Sequence, residues 1–133
     1  MDKIEHIGIA VSDLKQAIVK YEQILQSSCY KTETVEAQQV RTAFFLIGES
    51  KVELLEAIDN KGPIASFIEK RGEGIHHIAY EVQDIHQEMS RFKKEGYRLL
   101  SDNPQIGADQ KLVCFIHPKD TNGVLTELVQ SIG

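Results

Sequence analysis

Two stretches of the chain repeat one another, and this repeat constrains the fold more than any other feature. Residues 4–25, IEHIGIAVSDLKQAIVKYEQIL, align without a gap on residues 75–96, IHHIAYEVQDIHQEMSRFKKEG, 71 positions further on. Each stretch begins with a short apolar run typical of a strand and continues with apolar residues at helical spacing. In both, an Asp at the expected helix start is followed three residues later by Gln, the pattern of a capped N-terminus. The chain is therefore expected to contain two equivalent modules.

Three extended segments are expected after each helix, because apolar and β-branched residues recur between turn residues. In the first module they span 28–37, 40–48 and 51–57, and in the second 97–102, 111–118 and 123–130. The predicted order is therefore strand, helix and three strands, twice over, which is an α+β fold.

A short helix is expected to join the modules. The stretch 62–74, GPIASFIEKRGEG, has Pro63 at a position suited to a first helical turn and Gly72 where the helix would end. A module of about 60 residues could hardly bury a core alone, so the two are expected to pack together with a site in the cleft between them. We predict one domain over 1–133, with module one at about 1–58, the linking helix at about 62–72 and module two at about 73–133.

Charge and hydropathy exclude several classes of function. The chain has 15 basic and 20 acidic residues and a formal net charge of -5, which argues against a general nucleic-acid surface. It contains no apolar stretch near the roughly 20 residues that cross a bilayer, and its first residues lack the pattern of a secretory signal. We expect a cytoplasmic protein with no nucleic-acid or membrane partner.

Histidine and glutamate recur at matching places in the two modules. His6 aligns with His77, and Glu53 aligns with Glu127, 74 positions further on. A carboxylate between apolar neighbours is costly to bury without a partner, and two imidazoles with two carboxylates suit a divalent transition metal that keeps open positions for substrate. Taken singly, each residue could be a solvent-facing glutamate or a hydrogen-bonded structural histidine. The recurrence favours one ion, Co, Ni, Zn or Mn.

A histidine doublet, His76 and His77, lies in the first strand of the second module. Neighbouring residues on a strand point to opposite faces, so only one of the two can be a ligand in a given site. The repeat places His77 on His6 and His76 on Glu5. His77 is therefore the predicted ligand, and His76 is expected to pack or hydrogen-bond on the other face.

Five segments carry a resemblance to a known family: HIGIAVSDL, VELLEA, GIHHIAYEV, IGADQKLVCFIHPK and GVLTELVQ. The chain resembles the vicinal oxygen chelate (glyoxalase/bleomycin resistance/dioxygenase) superfamily, and within it most of all the methylmalonyl-CoA epimerases. The resemblance implies two paired βαβββ modules forming a curved mixed sheet around a metal-binding cleft, and a homodimer. It also implies the four metal ligands His6, Glu53, His77 and Glu127, with Glu127 in addition a catalytic base.

The function implied by the resemblance is a metal-dependent epimerase of 2-methylmalonyl-CoA or a similar acyl-CoA, which removes a proton next to the thioester. The alternative is a glyoxalase-I-like lactoylglutathione lyase acting on a hemithioacetal, and a non-catalytic small-molecule-binding or resistance protein ranks below both. The family's second base is a glutamate that falls on Ala37 here, and Gln39 replaces the usual glycine. Glu36, one residue away, is the remaining candidate for that base.

Overall fold

The computed structural model describes residues 1–132, and within them the chain follows the predicted α+β order. The strands are β1 (Lys3–Ala10), β2 (Lys31–Val35), β3 (Val40–Ile47), β4 (Ser50–Ala57), β5 (Gly74–Glu81), β6 (Gln105–Ile106), β7 (Lys111–Ile116) and β8 (Thr126–Ser131). The helices are α1 (Leu14–Leu25), α2 (Gly62–Arg71) and α3 (Ile85–Lys94). The order strand, helix and three strands occurs twice, which confirms the predicted fold class. Gly133, the last residue of the predicted second module, lies outside the described residues.

Each module forms a mixed four-stranded arrangement. In the first, the strand order is β2-β3-β4-β1, with β1 parallel to β4 and the other neighbours antiparallel. In the second, the order is β5-β8-β7-β6, with β5 parallel to β8 and the other neighbours antiparallel. The same pairing scheme therefore recurs, as the sequence repeat predicts.

By its contacts the chain divides into two compact units. One is His6–His76, and the other combines Met1–Glu5 with the chain from His77 onward, so the boundaries fall inside β1 and β5. The prediction that 1–133 acts as a single domain stays a prediction.

Two hydrophobic clusters cover the two faces of the first module. On one face, α1 packs on β3 and β4 around Phe45 and Leu54. On the other, Ile64 of α2 packs with Leu55 and neighbouring apolar residues. Since side chains alternate along a strand, Glu53 belongs to the face of Leu55 and not to the face covered by α1.

The second module repeats this division. Its helix α3 packs Ile85 and Met89 against Leu128 of β8. The opposite face carries a separate cluster that includes Ala79 and Val129. By alternation, His77 and Glu127 lie on the face of that second cluster.

Helices α1 and α3 both begin with the predicted cap. Asp13 accepts a hydrogen bond from the Gln16 backbone N–H at 3.1 Å, and Asp84 accepts one from the Gln87 N–H at 3.0 Å. Each carboxylate satisfies one of the N–H groups that a helix start leaves without an intrahelical partner. The cap predicted from spacing is therefore present in both modules.

A second acceptor reaches each helix start from a strand. The Leu14 N–H donates to Glu56 Oε2 at 2.8 Å, and the Ile85 N–H donates to Gln130 Oε1 at 2.7 Å. Glu56 also accepts a hydrogen bond from Arg41 Nη1 at 3.1 Å. Glu56 and Gln130 occupy equivalent places near the ends of β4 and β8. The same kind of hydrogen bond therefore joins the start of the helix to a strand in both modules.

Removing a helix cap is expected to destabilise the protein modestly. Asp13→Ala and Asp84→Ala should each lower the free energy of unfolding by about 1 kcal/mol, because one backbone N–H loses its acceptor. Urea denaturation followed by circular dichroism measures the change. Asp13→Asn is the matched control, since asparagine caps as well as aspartate. A loss in Asp13→Asn equal to that in Asp13→Ala would contradict the capping role.

Two predicted strands differ from the structure. The segment 97–102 forms only the isolated bridge between Leu99 and Ile116, and the regular strand there is the two-residue β6. Asp102, Asn103 and Pro104 separate the bridge from β6, and such residues favour turns and interrupt pairing.

In the first module, the strand that follows α1 ends earlier than predicted. The expected strand 28–37 is shorter, because β2 ends at Val35 and a 3-10 turn follows at Glu36–Gln38. Gln39 then adopts a left-handed conformation, with φ of 55°, and its N–H donates to the Glu36 carbonyl. This turn carries the positions at which the chain departs from the family pattern.

Candidate metal-binding and active site

The first histidine–glutamate pair forms between two parallel strands. His6 lies on β1 two residues before Gly8, and Gly8 is paired with Glu53 of β4. His6 Nδ1 is 3.0 Å from Glu53 Oε2. Both residues are about 5% exposed. The structure therefore brings together the two predicted ligands of the first module.

The second pair is built in the same way. His77 lies on β5 two residues before Ala79, and Ala79 is paired with Glu127 of β8. His77 Nε2 is 3.1 Å from Glu127 Oε1. The His77 ring also stands edge-on to Phe115, with ring centroids 5.9 Å apart. Equivalent strand positions thus produce a histidine–glutamate pair in each module, through Nδ1 of His6 in one and Nε2 of His77 in the other.

The geometry of each pair fits two ligands of one cation. Two donor atoms about 2.1 Å from an ion and at right angles to each other are separated by about 3.0 Å. The separations are 3.0 Å in one pair and 3.1 Å in the other, which are also the separations of a hydrogen-bonded ion pair. Imidazole nitrogen with carboxylate oxygen is also a donor set that first-row divalent metals accept. Each pair could therefore offer one imidazole nitrogen and one carboxylate oxygen to a metal ion.

The other histidine of the doublet has a different environment. The His76 ring meets Phe67 of α2 edge-on, with ring centroids 5.1 Å apart. His76 is half-buried, whereas His77 is buried. The contact of His76 with Phe67 is an aromatic packing contact, and the assignment of His77 as the ligand of the doublet stays a prediction.

The candidate second base does not lie on a strand. Glu36 opens the 3-10 turn after β2, and Ala37 follows it in the same turn. Both residues are exposed. Glu36 is thus exposed on a turn, whereas Glu53 is buried on a strand, and the role of Glu36 as a base stays a prediction.

A polar turn closes the end of β7. His117 Nδ1 accepts a hydrogen bond from the Lys119 N–H at 3.1 Å. Arg98 donates to both carboxylate oxygens of Asp120, with Nη2 at 2.8 Å from Oδ1 and Nε at 3.1 Å from Oδ2. The hydrogen bond that His117 accepts lies within its own turn, which gives this residue a local structural role.

The Arg98–Asp120 pair in this turn makes the free energy of unfolding depend on pH. The hydrogen bonds from the Arg98 side chain and backbone lower the pKa of Asp120 to about 2. Because the pKa of an aspartate in an unfolded chain is about 3.9, the ionised carboxylate stabilises the fold above that pH and this contribution is lost as the pH falls towards 2. Asp120→Asn should therefore be less stable than the wild type at pH 6, with a difference that narrows between about pH 4 and 2. Urea denaturation across that range measures it, and a difference that stays constant with pH would contradict the assignment.

Glu5 and Glu33, both on strands, were given no role by the sequence. Glu5 is only 2% exposed on β1, and Glu33 is half-buried on β2. The repeat does align Glu5 with His76, but nothing in that match indicates a buried carboxylate. For Glu33 the signal is the alternation of KTETV, in which Lys31, Glu33 and Val35 share one face.

None of the helices within residues 1–132 is long and apolar enough to cross a membrane.

A family model matches most of the chain. Residues 5–115 match the model described as the glyoxalase/bleomycin resistance protein/dioxygenase superfamily. This range contains His6, Glu53 and His77 and ends before Glu127.

Curated relatives and a solved structure extend the match. An ethylmalonyl-CoA/methylmalonyl-CoA epimerase from Cereibacter sphaeroides is 42% identical over 130 residues, covering 96% of this chain and 97% of its own length. The human mitochondrial methylmalonyl-CoA epimerase is 38% identical over 132 residues, covering 98% of this chain and 75% of its own length. A variant of the Streptomyces coelicolor methylmalonyl-CoA epimerase in complex with 2-nitronate-propionyl-CoA is 36% identical, covers 100% of this chain and 99% of its own, and has a TM-score of 0.96.

Proposed function

We propose, from the premise that the chain belongs to the glyoxalase/bleomycin resistance protein/dioxygenase superfamily, that it is a metal-dependent epimerase of 2-methylmalonyl-CoA or a similar acyl-CoA. The observation that carries the proposal is the buried histidine–glutamate pair that recurs at equivalent strand positions in both modules. Similarity to named epimerases over nearly the whole chain supports the substrate class.

The metal ligands in this proposal are His6, Glu53, His77 and Glu127, acting together on one divalent ion. Each pair has the donor spacing that one ion accepts, and the same donor types recur in both modules. When bound, such an ion supplies positive charge that stabilises negative charge developing on the substrate's thioester oxygen. Co, Ni, Zn and Mn all suit this donor set.

Glu127 has a second part in the proposal, as a base. The proton on C2 of a malonyl thioester lies between two carbonyl groups, so its removal leaves an enolate with the charge spread onto oxygen. Glu127 would take this proton on one face of C2 and hold it on its carboxylate. Epimerisation requires a second group that serves the opposite face. The sequence suggests Glu36 for that role, which stays a prediction.

Solvent deuterium exchange tests the epimerase proposal. Purified protein in D₂O with added Co²⁺ or Ni²⁺ should place deuterium on C2 of methylmalonyl-CoA and interconvert its two enantiomers. Protein stripped with a chelator should lose this activity and regain it when the ion is returned. If the metal-loaded protein neither exchanges nor epimerises methylmalonyl-CoA, the proposal fails.

A second candidate is a lactoylglutathione lyase of the glyoxalase I type. The observation that favours it is Ala37, which removes the epimerases' second glutamate while Glu53 completes a set of two histidines and two glutamates. The substrate would then be a hemithioacetal and not a thioester. This candidate predicts S-lactoylglutathione from methylglyoxal and glutathione, and it fails if no thioester absorbance appears with metal-loaded protein. A non-catalytic binding or resistance protein ranks third, because it has no use for two buried ligand pairs.

Assembly and location are also proposals. The homodimer implied by the family resemblance can be tested by light scattering on the eluted protein, where a mass near 15 kDa would contradict it. The cytoplasmic location expected from the sequence stays a prediction.

A further inference from the structure

We propose that Phe115 of β7 is a positioning residue of the metal site, whose ring fixes the orientation of the His77 imidazole before a metal ion binds. This inference rests on the proposed function, in which His77 and Glu127 are metal ligands. It gives a role to an aromatic side chain that neither the ligand set nor the proton transfer uses.

The strand register places Phe115 on the face of the second histidine–glutamate pair. Phe115 is paired with Glu127 of β8, and Glu127 is paired with Ala79 of β5. His77 lies two residues before Ala79 on the same strand. Residues paired directly across a sheet share a face, and so do residues two apart on one strand. The side chains of Phe115, Glu127 and His77 therefore project from the same face.

The rings of Phe115 and His77 meet almost at a right angle. Their centroids are 5.9 Å apart, and the ring planes are inclined at 89°. Aromatic pairs prefer such an edge-to-face arrangement, with centroids about 4.5–7 Å apart. His77 Nε2 is also 3.1 Å from Glu127 Oε1. The imidazole therefore has a carboxylate at one nitrogen and an aromatic ring packed against it.

Phe115 is itself held in place by its surroundings. It is half-buried and packs against the cluster formed by Ala79, Val113 and Val129. Its carbonyl accepts a hydrogen bond from the Leu100 N–H at 2.9 Å, in addition to the pairing of β7 with β8. A ring that is fixed in this way can restrain its neighbour.

The orientation of an imidazole decides whether it can serve as a metal ligand. A metal ion binds in the ring plane, along the lone pair of the nitrogen, so rotation about χ2 changes the direction of the donor. For histidine this torsion has a broad energy profile and is not fixed by staggering. A contact at one nitrogen restrains that atom more than the plane of the ring, whereas a perpendicular neighbour restrains the plane. A ligand that is already oriented loses less conformational entropy when the ion binds.

The same aromatic position recurs in the first module. Phe44 lies 71 positions before Phe115, which is the offset of the repeated stretches. Phe44 is paired directly with Glu53, as Phe115 is with Glu127. An aromatic residue therefore lies opposite the proposed ligand glutamate in each module. This recurrence favours a role connected with the histidine–glutamate pair over a chance contact.

The test compares Phe115→Leu with the matched control Phe92→Leu. Phe92 of α3 is also half-buried, and its ring meets that of Tyr97 at 87° with centroids 5.4 Å apart. It packs against the cluster that contains Leu128, on the other face of β8. Each substitution thus removes one edge-to-face ring and keeps an apolar side chain. Titration against a competing chelator measures the Kd for Co²⁺, and urea denaturation measures the free energy of unfolding of the metal-free protein.

We expect Phe115→Leu to bind Co²⁺ about 3- to 10-fold more weakly than the wild type, the factor that corresponds to one aromatic pair. Phe92→Leu should bind Co²⁺ like the wild type, although both variants lose a similar amount of stability. In the metal-free protein, ¹³C relaxation should show a more mobile His77 ring in Phe115→Leu only. Phe115→Tyr, which keeps the ring, should match the wild type in both measurements.

Failure of this inference and failure of the proposed function give different results. A wild type that binds none of Co²⁺, Ni²⁺, Zn²⁺ and Mn²⁺ overturns the proposed function, and this inference with it. A wild type that binds Co²⁺ beside a Phe115→Leu variant of equal affinity overturns the inference alone. So does equal weakening in Phe92→Leu or Phe115→Tyr, or a His77 ring that is as rigid in Phe115→Leu as in the wild type. Should Phe115→Leu not fold, Phe115→Met takes its place in the same comparison.

Discussion

Replacing His77 with alanine is expected to strip the protein of its metal and to lower kcat/KM for methylmalonyl-CoA by at least about 10³-fold. The buried imidazole, 3.1 Å from Glu127, is one of the four proposed ligands, and its loss also leaves Glu127 buried without its histidine. Stabilisation of charge on the substrate oxygen by such a group contributes about 10²–10³-fold, and a misplaced Glu127 adds to the loss. Metal content by atomic emission and the initial rate of epimerisation measure the two effects.

His76→Ala is the matched control for this prediction. The two histidines are neighbours in the chain, but the His76 ring packs against Phe67 and has no part in the proposed ligand set. We expect His76→Ala to bind metal and epimerise like the wild type, with a loss of stability of about 1 kcal/mol from the missing aromatic contact. Full metal occupancy in His77→Ala, or equal metal loss in both variants, would refute the assignment of the doublet.

Phe45→Ala is expected to cause the largest loss of stability. Phe45 is completely buried where α1 packs on β3 and β4, and its ring centroid is 6.4 Å from that of Tyr21. Removing a buried phenylalanine side chain costs about 3–5 kcal/mol, from the lost transfer free energy and the cavity left behind. This is a large part of the roughly 5–15 kcal/mol that stabilises a typical domain. Urea denaturation gives the free energy of unfolding directly.

The next residue on β3 provides the control. Leu46 is 53% exposed, so Leu46→Ala should change the free energy of unfolding by no more than about 0.5 kcal/mol. Equal losses in the two variants would mean that α1 does not cover the face of β3 that carries Phe45.

The repeat made much of the fold predictable from the sequence. Helix α1 spans Leu14–Leu25, in the second part of the repeated stretch 4–25 and directly after Asp13, because a regular apolar stripe and an Asp cap act locally. The structure of the segment after α3 was harder to predict from the sequence. Its backbone is held by residues far along the chain, as in the bond from the His117 N–H to the Arg98 carbonyl, and such partners leave no local pattern.

The candidate site was predictable as a set of residues but not as a geometry. Aligning the modules identified His6 with His77 and Glu53 with Glu127, because both the chemistry and the position recur. The distances within each pair depend on the parallel register of β1 with β4 and of β5 with β8, which the sequence does not specify.

The environment of Glu33 was not predictable for a different reason. A polar strand such as KTETV is typical of a solvent-facing edge, and only its pairing with β3 relates it to Glu53. The left-handed conformation of Gln39 was equally hidden, since the residue that usually signals such a turn is glycine.

The strand residues that accept a hydrogen bond from the starts of α1 and α3 differ between the two modules in a matched way. If the modules descend from one duplicated ancestor, the acceptor for the helix N–H has become a carboxylate in Glu56 and an amide in Gln130, while the hydrogen bond survived. The residue paired with the acceptor differs in step: Arg41 lies opposite Glu56, and Leu112 lies opposite Gln130. Where the acceptor is charged, a cation faces it, and where it is neutral, an apolar side chain does. At this position both modules have an oxygen acceptor, and its charge differs between the modules together with the neighbour that faces it.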